Sequence, residues 1–555
     1  MEDYAKGASL ELYFRRLSPY FYGKTFVEAC EFCARRLKIV MLAIQLDPEI
    51  YDSRPQIFPN PESIIQPNTA AYFLADHRLD VQRAAVYCKY CHEDIADPAQ
   101  ITQCSCQAGF KSALKNRPGQ YWIPSYTAED SPDENVAILP QPIIHLNGEP
   151  VESRIWSYIC EHPNTPVNNS REKLNVMQSP ENIHLDDVDG DQPKPSVLYD
   201  SSGLFYWTPA RPLCSVRLTR LQAARKNFAN HIVVCVVSQS TSQTIGLASF
   251  VMPLRSSAIP SGELSDILIL ADDKYVEKEW KYLYNLPRLF VVKGSPLNRA
   301  DLRSVNLNTC KMCVLIGAAN PHEKSTDPTL LDKSVILATL NVRAMKFSED
   351  ENMKANNHSR RSNLDEQTET IKRCTRRTGF EVPLITDLMR DTNVQFLDDD
   401  DEDLPGTEFY LTQPYSGGRA FSASVLDLLM VTSFFNPIIY TVLHSVIFGG
   451  ASPELEQIMA EGAGLIGPST ISSHERGDQV RVKQFKMSDE LFSMHVGSTY
   501  GGLFTDALLN KRLLLLGIYR KIGVTSNKRY VITAPSEDFM IYESDRIFAL
   551  QRTVD

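Results

Sequence analysis

The chain has 555 residues, 43% hydrophobic and 23% charged, and 68 acidic against 57 basic side chains leave a net charge of −11. That balance excludes a nucleic-acid-binding protein, which needs a basic footprint. The length predicts about three or four domain-sized units of ordinary globular composition.

Met1-Glu2-Asp3-Tyr4 has neither the basic nor the apolar part of an export signal, so the twelve cysteines are expected to be reduced thiols. No apolar run reaches the roughly eighteen residues of a spanning helix. The nearest, Ser422 to Phe448, is broken by Asp427, Asn436 and Pro437.

In chain order, Thr25 to Arg36 has helical spacing, Leu37 to Ile44 and Ala70 to Ala75 read as strands, and Leu79 to Tyr90 reads as a helix. That helix leads into Cys88-Lys-Tyr-Cys91-His92, followed by Cys104-Ser-Cys106. Residues 107–195 are dominated by Asn, Pro, Ser, Asp and Glu, which predicts a disordered linker. Next come short β-branched runs, His231 to Val237, Asp266 to Ala271, Leu289 to Val292 and Met312 to Ile316. Helical segments alternate with them: Thr244 to Leu254, Val276 to Tyr284, Arg299 to Val305 and Lys333 to Met345. Strands separated by helices predict an α/β fold with a Rossmann-like parallel sheet. A polar insert, 348–378, is expected to be disordered. Val382 to Leu388 is the last strand of this part. From 416 onward, helices (Phe421 to Phe434, Ile438 to Phe448) and strands (Leu513 to Tyr519, Arg529 to Thr533, Arg546 to Leu550) predict an α+β C-terminal lobe. Gly449-Gly450 and Ser452-Pro453 read as a stop and a new helix start.

Six consecutive acids, Asp398 to Asp403, lie between the strand Val382 to Leu388 and the strand-like Thr407 to Leu411. Like charges about 4 Å apart repel by roughly 1 kcal/mol even in water. An ordered loop of this kind needs a cation, and oxygen donors without nearby His or Cys favour calcium over a softer metal. The bland alternative is a solvated acidic loop. It is not an EF-hand, because position six from Asp398 is Asp403 rather than Gly and position twelve is Phe409 rather than Glu.

The spacing Cys88-x2-Cys91-x12-Cys104-x-Cys106 suits a zinc tetrahedron, and Cys88-x-x-Cys91-His92 is also a haem-attachment pattern. Zinc, reversible haem, redox-sensitive thiols and idle core cysteines all stay open. Cys30/Cys33 and Cys310/Cys313 read as core. The turn Ser238 to Gln243 lacks a Gly-x-Gly-x-x-Gly fingerprint, so a nucleotide cofactor is not expected. No nucleophile–base set or phosphate loop supports catalysis. A nucleotide- or magnesium-dependent enzyme or sensor on the Rossmann-like sheet is the alternative to a calcium module.

Taken with the strand Val382 to Leu388 before the acids and Thr407-Glu-Phe-Tyr-Leu-Thr-Gln-Pro414 after them, the chain resembles the cytoplasmic part of BK-type (Slo-family) calcium-activated potassium channels. Phe32-Cys-Ala-Arg-Arg-Leu-Lys38, Tyr199-Asp-Ser-Ser-Gly-Leu-Phe-Tyr-Trp207, Val251-Met-Pro-Leu-Arg255 and Lys528-Arg-Tyr-Val-Ile-Thr533 extend the likeness along the chain.

The resemblance implies two RCK domains per subunit and a gating ring of four subunits, a homotetramer on the cytoplasmic face of the membrane. It makes 1–106 the end of the first RCK domain, 107–195 the linker, 196–415 the Rossmann-like core of the second and 416–555 its C-terminal lobe. The transmembrane pore and voltage sensor would lie upstream, with accessory channel subunits as further partners. The family's calcium bowl transfers to the main-chain oxygens of Gln395 and Asp398 and the carboxylates of Asp401 and Asp403. This chain departs from the family at Asp399, Leu404 and Gly406. A second calcium site transfers in part, to Ser9, Glu11 and Asp76, where the last is usually Ser. Cys88, Cys91 and His92 correspond to a haem-responsive segment.

Overall fold

The computed structural model describes residues 2–48, 54–103, 198–319, 330–347, 375–398, 407–436, 438–450, 455, 457–458, 467, 479–523 and 528–553. The expected linker 107–195, the Ser452-Pro453 helix start and most of the polar insert lie outside them. The insert ends earlier than expected. Thr378 bridges Lys346, and the Phe347 amide donates to Arg377 O at 2.9 Å, so residues 375–378 already belong to the fold.

Near the N-terminus, β1 (Glu11–Arg16), β2 (Val40–Gln45), β3 (Gln56–Ile57) and β4 (Ala70–Ala75) form an antiparallel sheet in the order β1-β4-β2-β3. The helix Phe26–Phe32 starts from a Thr25/Glu28 capping box, which satisfies two otherwise orphaned amides. It passes into a π-turn at Cys33–Leu37, closed by Lys38 at φ 57°, which delays the following strand to Val40 rather than Leu37. Cys30 and Cys33 are fully buried, and burial pushes the Cys30 thiol up to about 12. The helix expected over Leu79 to Tyr90 spans Arg78–Val86, with a separate turn at Lys89–His92.

The apolar runs of the middle segment become a parallel sheet. Its strands are β5 (Arg217–Leu218), β6 (Ile232–Val237), β7 (Ile267–Ala271), β8 (Leu289–Lys293), β9 (Met312–Gly317), β10 (Leu384–Leu388) and β11 (Ala420–Ser422). They are ordered β11-β10-β9-β6-β7-β8-β5, with every pairing parallel. Ile232, Val234 and Val236 face a core shared with the helix Asp273–Trp280, while Val233 and Cys235 face Leu302 and Val335 from the helices Arg299–Ser304 and Lys333–Arg343. Burial on both faces is why these strands read as unbroken apolar runs. The order reverses between β6 and β9, which puts the sheet's crevice there and the acidic loop at the end of β10.

The C-terminal strands β12 (Val480–Lys486), β13 (Leu513–Lys521), β14 (Arg529–Thr533) and β15 (Arg546–Arg552) form an antiparallel sheet ordered β12-β15-β13-β14. One hydrophobic core joins this sheet to the N-terminal one: Phe21, Phe26 and Phe73 share it with Met487, Leu503, Leu514 and Ile547. The two ends of the chain, expected as parts of different domains, therefore fold against each other. Among the described residues, no helix is long and apolar enough to cross a membrane.

His231, just before β6, is fully buried. Its Nε2 donates to Val305 O at 2.8 Å, while Nδ1 is buried without a hydrogen-bond partner among the described residues. A proton on Nδ1 would find no acceptor, and burial accordingly holds the imidazole down to about 4 against an ordinary 6.5. The unfolded chain then binds a proton that the folded one refuses, so this residue makes stability fall as pH drops from about 6.5 towards 4. The expected loss is about 2–3 kcal/mol at the low end, from about 1.4 kcal/mol per pKa unit. Urea unfolding at pH 7 and pH 4.5 checks it, with the difference reduced in His231→Gln.

Candidate cation site

The segment that leads into the acidic run is held by apolar contacts and buried polar groups. After β10 the chain turns into a 3-10 helix, Asp391–Leu397. At three residues per turn, positions three apart share a face. Val394 and Leu397 accordingly insert together into a small core with Ile336, Leu388 and Ala420. Gln395 and Phe396 are left on the exposed side.

Asp332, just before the helix Lys333–Arg343, is 1% exposed. Its carboxylate accepts the Met389 amide at 2.7 Å, the Arg390 amide at 3.0 Å and Asn393 Nδ2 at 2.7 Å. From the far end of the same helix, the buried Arg343 donates to Leu397 O at 2.8 Å. Burial, and then the charge of Asp332, pushes the nearby Asp387 carboxyl above its ordinary range. Neither Asp332 nor Arg343 is identifiable from local sequence as part of the site. Both set where the acidic run begins.

Asp398 opens that run with a side chain only 7% exposed. Both carboxylate oxygens are buried, and among the described residues neither has a hydrogen-bond partner. Lys528 Nζ, at the entry to β14, stands 3.7 Å from Oδ1. Ionised carboxylates out of water normally collect several hydrogen bonds. Asp398 instead keeps its lone pairs available, which suits a hard cation bound by oxygen. Asp401 and Asp403 lie outside the described residues, so the four expected calcium ligands are not placed as a set.

Beyond the acids, the expected strand Thr407 to Leu411 is a 3-10 turn, Phe409–Leu411. Phe409 packs against the small core and stacks on Tyr415 with ring centroids 4.7 Å apart, and this contact favours a turn over extension. Tyr4 hydrogen-bonds Tyr410 O. Gly417 O accepts from the Tyr519 hydroxyl at 2.8 Å, so the loop's exit is tied to the C-terminal sheet.

Ser9, Glu11 and Asp76 meet at one end of the N-terminal sheet. Glu11 pairs with Ala75 in register, and Ser9 Oγ donates to Asp76 Oδ1 at 3.3 Å. The Tyr13 hydroxyl donates to Glu11 Oε2 at 2.7 Å. Burial, with that carboxylate, pushes the Tyr13 phenol up to about 12. Among the described residues, no group of three or more His, Cys, Asp or Glu is arranged to hold a metal.

Cys88 caps the short turn carrying Cys91 and His92. His92 is 3% exposed, and its Nδ1 accepts the Cys88 amide at 3.0 Å. That bond puts the neutral ring's proton on Nε2, whereas an imidazole that ligates through Nε2 needs it on Nδ1. The arrangement does not fit haem ligation through Nε2 of His92. Cys104 and Cys106, the other half of a zinc tetrahedron, lie outside the described residues.

At the sheet's crevice, where a dinucleotide phosphate would approach a helix start, a carboxylate of the chain is already in place. Glu279 is fully buried and accepts the Ile245, Gly246 and Leu247 amides at 2.8, 3.1 and 3.2 Å, together with the Tyr275 hydroxyl at 2.9 Å.

Residues 227–376 match the family described as the calcium-activated potassium channel slowpoke-like RCK domain, and 439–551 match the Ca2+-activated K+ channel Slowpoke, TrkA_C-like domain. The chain is 39% identical over 583 aligned positions to the calcium-activated potassium channel slo-1 of Caenorhabditis elegans, covering 99% of this chain and 50% of that protein. To the calcium-activated potassium channel slowpoke of Drosophila melanogaster it is 36% identical over 622 positions, covering 99% and 52%. It thus spans about half the length of these relatives. Among solved structures, the human SLO3 gating ring aligns with all of this chain and 68% of its own, at 23% identity and a TM-score of 0.59, a likeness of fold.

Proposed function

This chain belongs, across residues 227–376 and 439–551, to the slowpoke-type RCK family of calcium-activated potassium channels, and from that membership we propose that it is the calcium-sensing part of such a channel. One observation supports the site: the buried carboxylate of Asp398, with no hydrogen bond to either oxygen among the described residues, stands at the head of six consecutive acids and adds its charge to the field that draws a cation there. Calcium supplies a divalent charge that offsets their mutual repulsion. The main-chain oxygens of Gln395 and Asp398 and the carboxylates of Asp401 and Asp403 are its ligands.

The loop's supports give ion binding a mechanical consequence. Its entry is fixed to the parallel sheet through Asp332 and Arg343, and its exit to the antiparallel sheet through Tyr519. Tightening the acidic run therefore pulls on two layers at once. In a tetrameric ring beneath an upstream pore and voltage sensor, calcium opens the gate only if the open arrangement binds it more tightly than the closed one. Ser9, Glu11 and Asp76 form part of a second calcium site, to be completed by residues from the part of such a channel that this chain does not span. Accessory subunits act on the whole channel.

Calorimetry on the full chain tests the assignment. Asp401→Ala combined with Asp403→Ala is expected to abolish the calcium heat, and retained binding removes these ligands. A thermal-shift comparison with calcium, NAD and ATP addresses the alternative of a nucleotide-dependent enzyme or sensor. Calcium alone is expected to stabilise, since Glu279 already fills the anion position at the crevice.

A further inference from the structure

The pairing of Asp398 with Lys528 contains more than a ligand assignment. These residues come from different sheets: Asp398 follows β10 of the parallel sheet, and Lys528 leads into β14 of the antiparallel one. Lys528 is backbone-anchored, since its carbonyl accepts the Ile522 amide at 2.9 Å and β14 pairs along its length with β13. The ammonium is 15% exposed and the carboxylate 7%, so solvent screens the pair poorly. At 3.7 Å the contact is an ion pair without a hydrogen bond. The charge of Asp398 is balanced while its lone pairs are not consumed.

We propose that Lys528 is a tethered cation that competes with calcium for the charge of Asp398, and so sets both the affinity of the site and its mechanical output. The proposal rests on the calcium reading above. A fixed positive charge beside a cation site disfavours occupancy by direct repulsion, and it neutralises part of the charge that attracts the ion. Occupancy then weakens this charge contact, which joins the head of the acidic run to the entry of β14. The same event that fills the site loosens the loop from the C-terminal sheet, leaving the Tyr519–Gly417 bond as a pivot. Calcium binding is thereby converted into a change in how two layers are held, and no separate switch is needed.

The opposite expectation, that Lys528 is only a strut, predicts a different pattern. Removing a strut destabilises the loop and weakens calcium binding. Removing a competitor leaves Asp398 without its counter-charge, so the protein without calcium is less stable, yet calcium binds more tightly. The two roles agree on stability and disagree on affinity.

The test uses the full 555-residue chain with Lys528→Met, Lys528→Gln and Lys528→Arg, in calcium calorimetry and in melting with chelator. Met and Gln are expected to lower the calcium dissociation constant roughly tenfold or more, the scale of removing one nearby positive charge. Both are expected to melt earlier in chelator, with Arg close to the parent. The Gln variant keeps a polar end, so the test survives if the Met variant does not fold. Unchanged or weaker calcium binding in a folded neutral variant overturns the competition. A parent chain that gives no calcium heat overturns the calcium reading, and the proposal with it.

Discussion

Asp332→Ala is expected to remove about 3–5 kcal/mol of stability, because three donors lose one buried, charged acceptor. The Met389 and Arg390 amides and Asn393 Nδ2 would lose this acceptor around a cavity at the root of the acidic loop. Water can reach part of that turn, since Arg390 and Asp391 are not buried, but Asn393 is 2% exposed and cannot be resolvated in place. The turn should re-form elsewhere, carrying Val394 and Leu397 off Ile336. Calcium affinity is therefore expected to fall at least tenfold, although Asp332 is not itself an expected ligand. Asp332→Asn keeps one acceptor oxygen and should lie between. A calcium titration unchanged in Asp332→Ala would show that the loop takes its shape without this support.

How far the sequence discloses this architecture follows from where water touches each element. β6, β7, β8 and β9 are covered on both faces, so each is an apolar run whose only competing reading is a short helix. β1 and β12, which read Glu-Leu-Tyr-Phe-Arg-Arg and Val-Arg-Val-Lys-Gln-Phe-Lys, are edge strands with mostly half-buried side chains. Their alternation is too weak to separate them from loop, and neither is predicted. The helix Tyr500–Asn510 is missed as well. Its first turn contains Gly501 and Gly502, poor helix formers, and it depends on the Thr499 cap and on burial of Leu503, Phe504, Ala507 and Leu508.

The acids of the candidate site are legible because charge density is a local property. What holds them is not. Asp332 reaches Asn393 across 61 positions, Arg343 reaches Leu397 across 54, and Lys528 meets Asp398 from another sheet. The shared core of the two antiparallel sheets escapes for the same reason: no periodicity links Phe26 to Leu514. The cysteine–histidine turn shows the converse. Its spacing suggests ligands, but the bond that commits Nδ1 of His92 to the amide of Cys88 is invisible in that spacing.

Glu279→Ala is the counterpart to the Asp332 experiment, because it strikes the fold as hard while sparing the cation site. The carboxylate gathers three consecutive amides, and these converge only because Gly246 sits at φ +71°, a conformation that side chains resist. With the helix start also favouring negative charge, removal should cost about 3–5 kcal/mol. Glu279→Gln, which keeps one acceptor oxygen but loses the charge, should cost less. The loss is expected in the urea midpoint, with the calcium dissociation constant unchanged, since Glu279 packs under the β6–β7 end and not under β10. If both variants instead weakened calcium binding in step with stability, the site would depend on global rigidity rather than on its own supports. The parallel sheet's crevice is thus a position for an anion that the chain supplies itself, and the two experiments together separate loss of stability from loss of calcium binding.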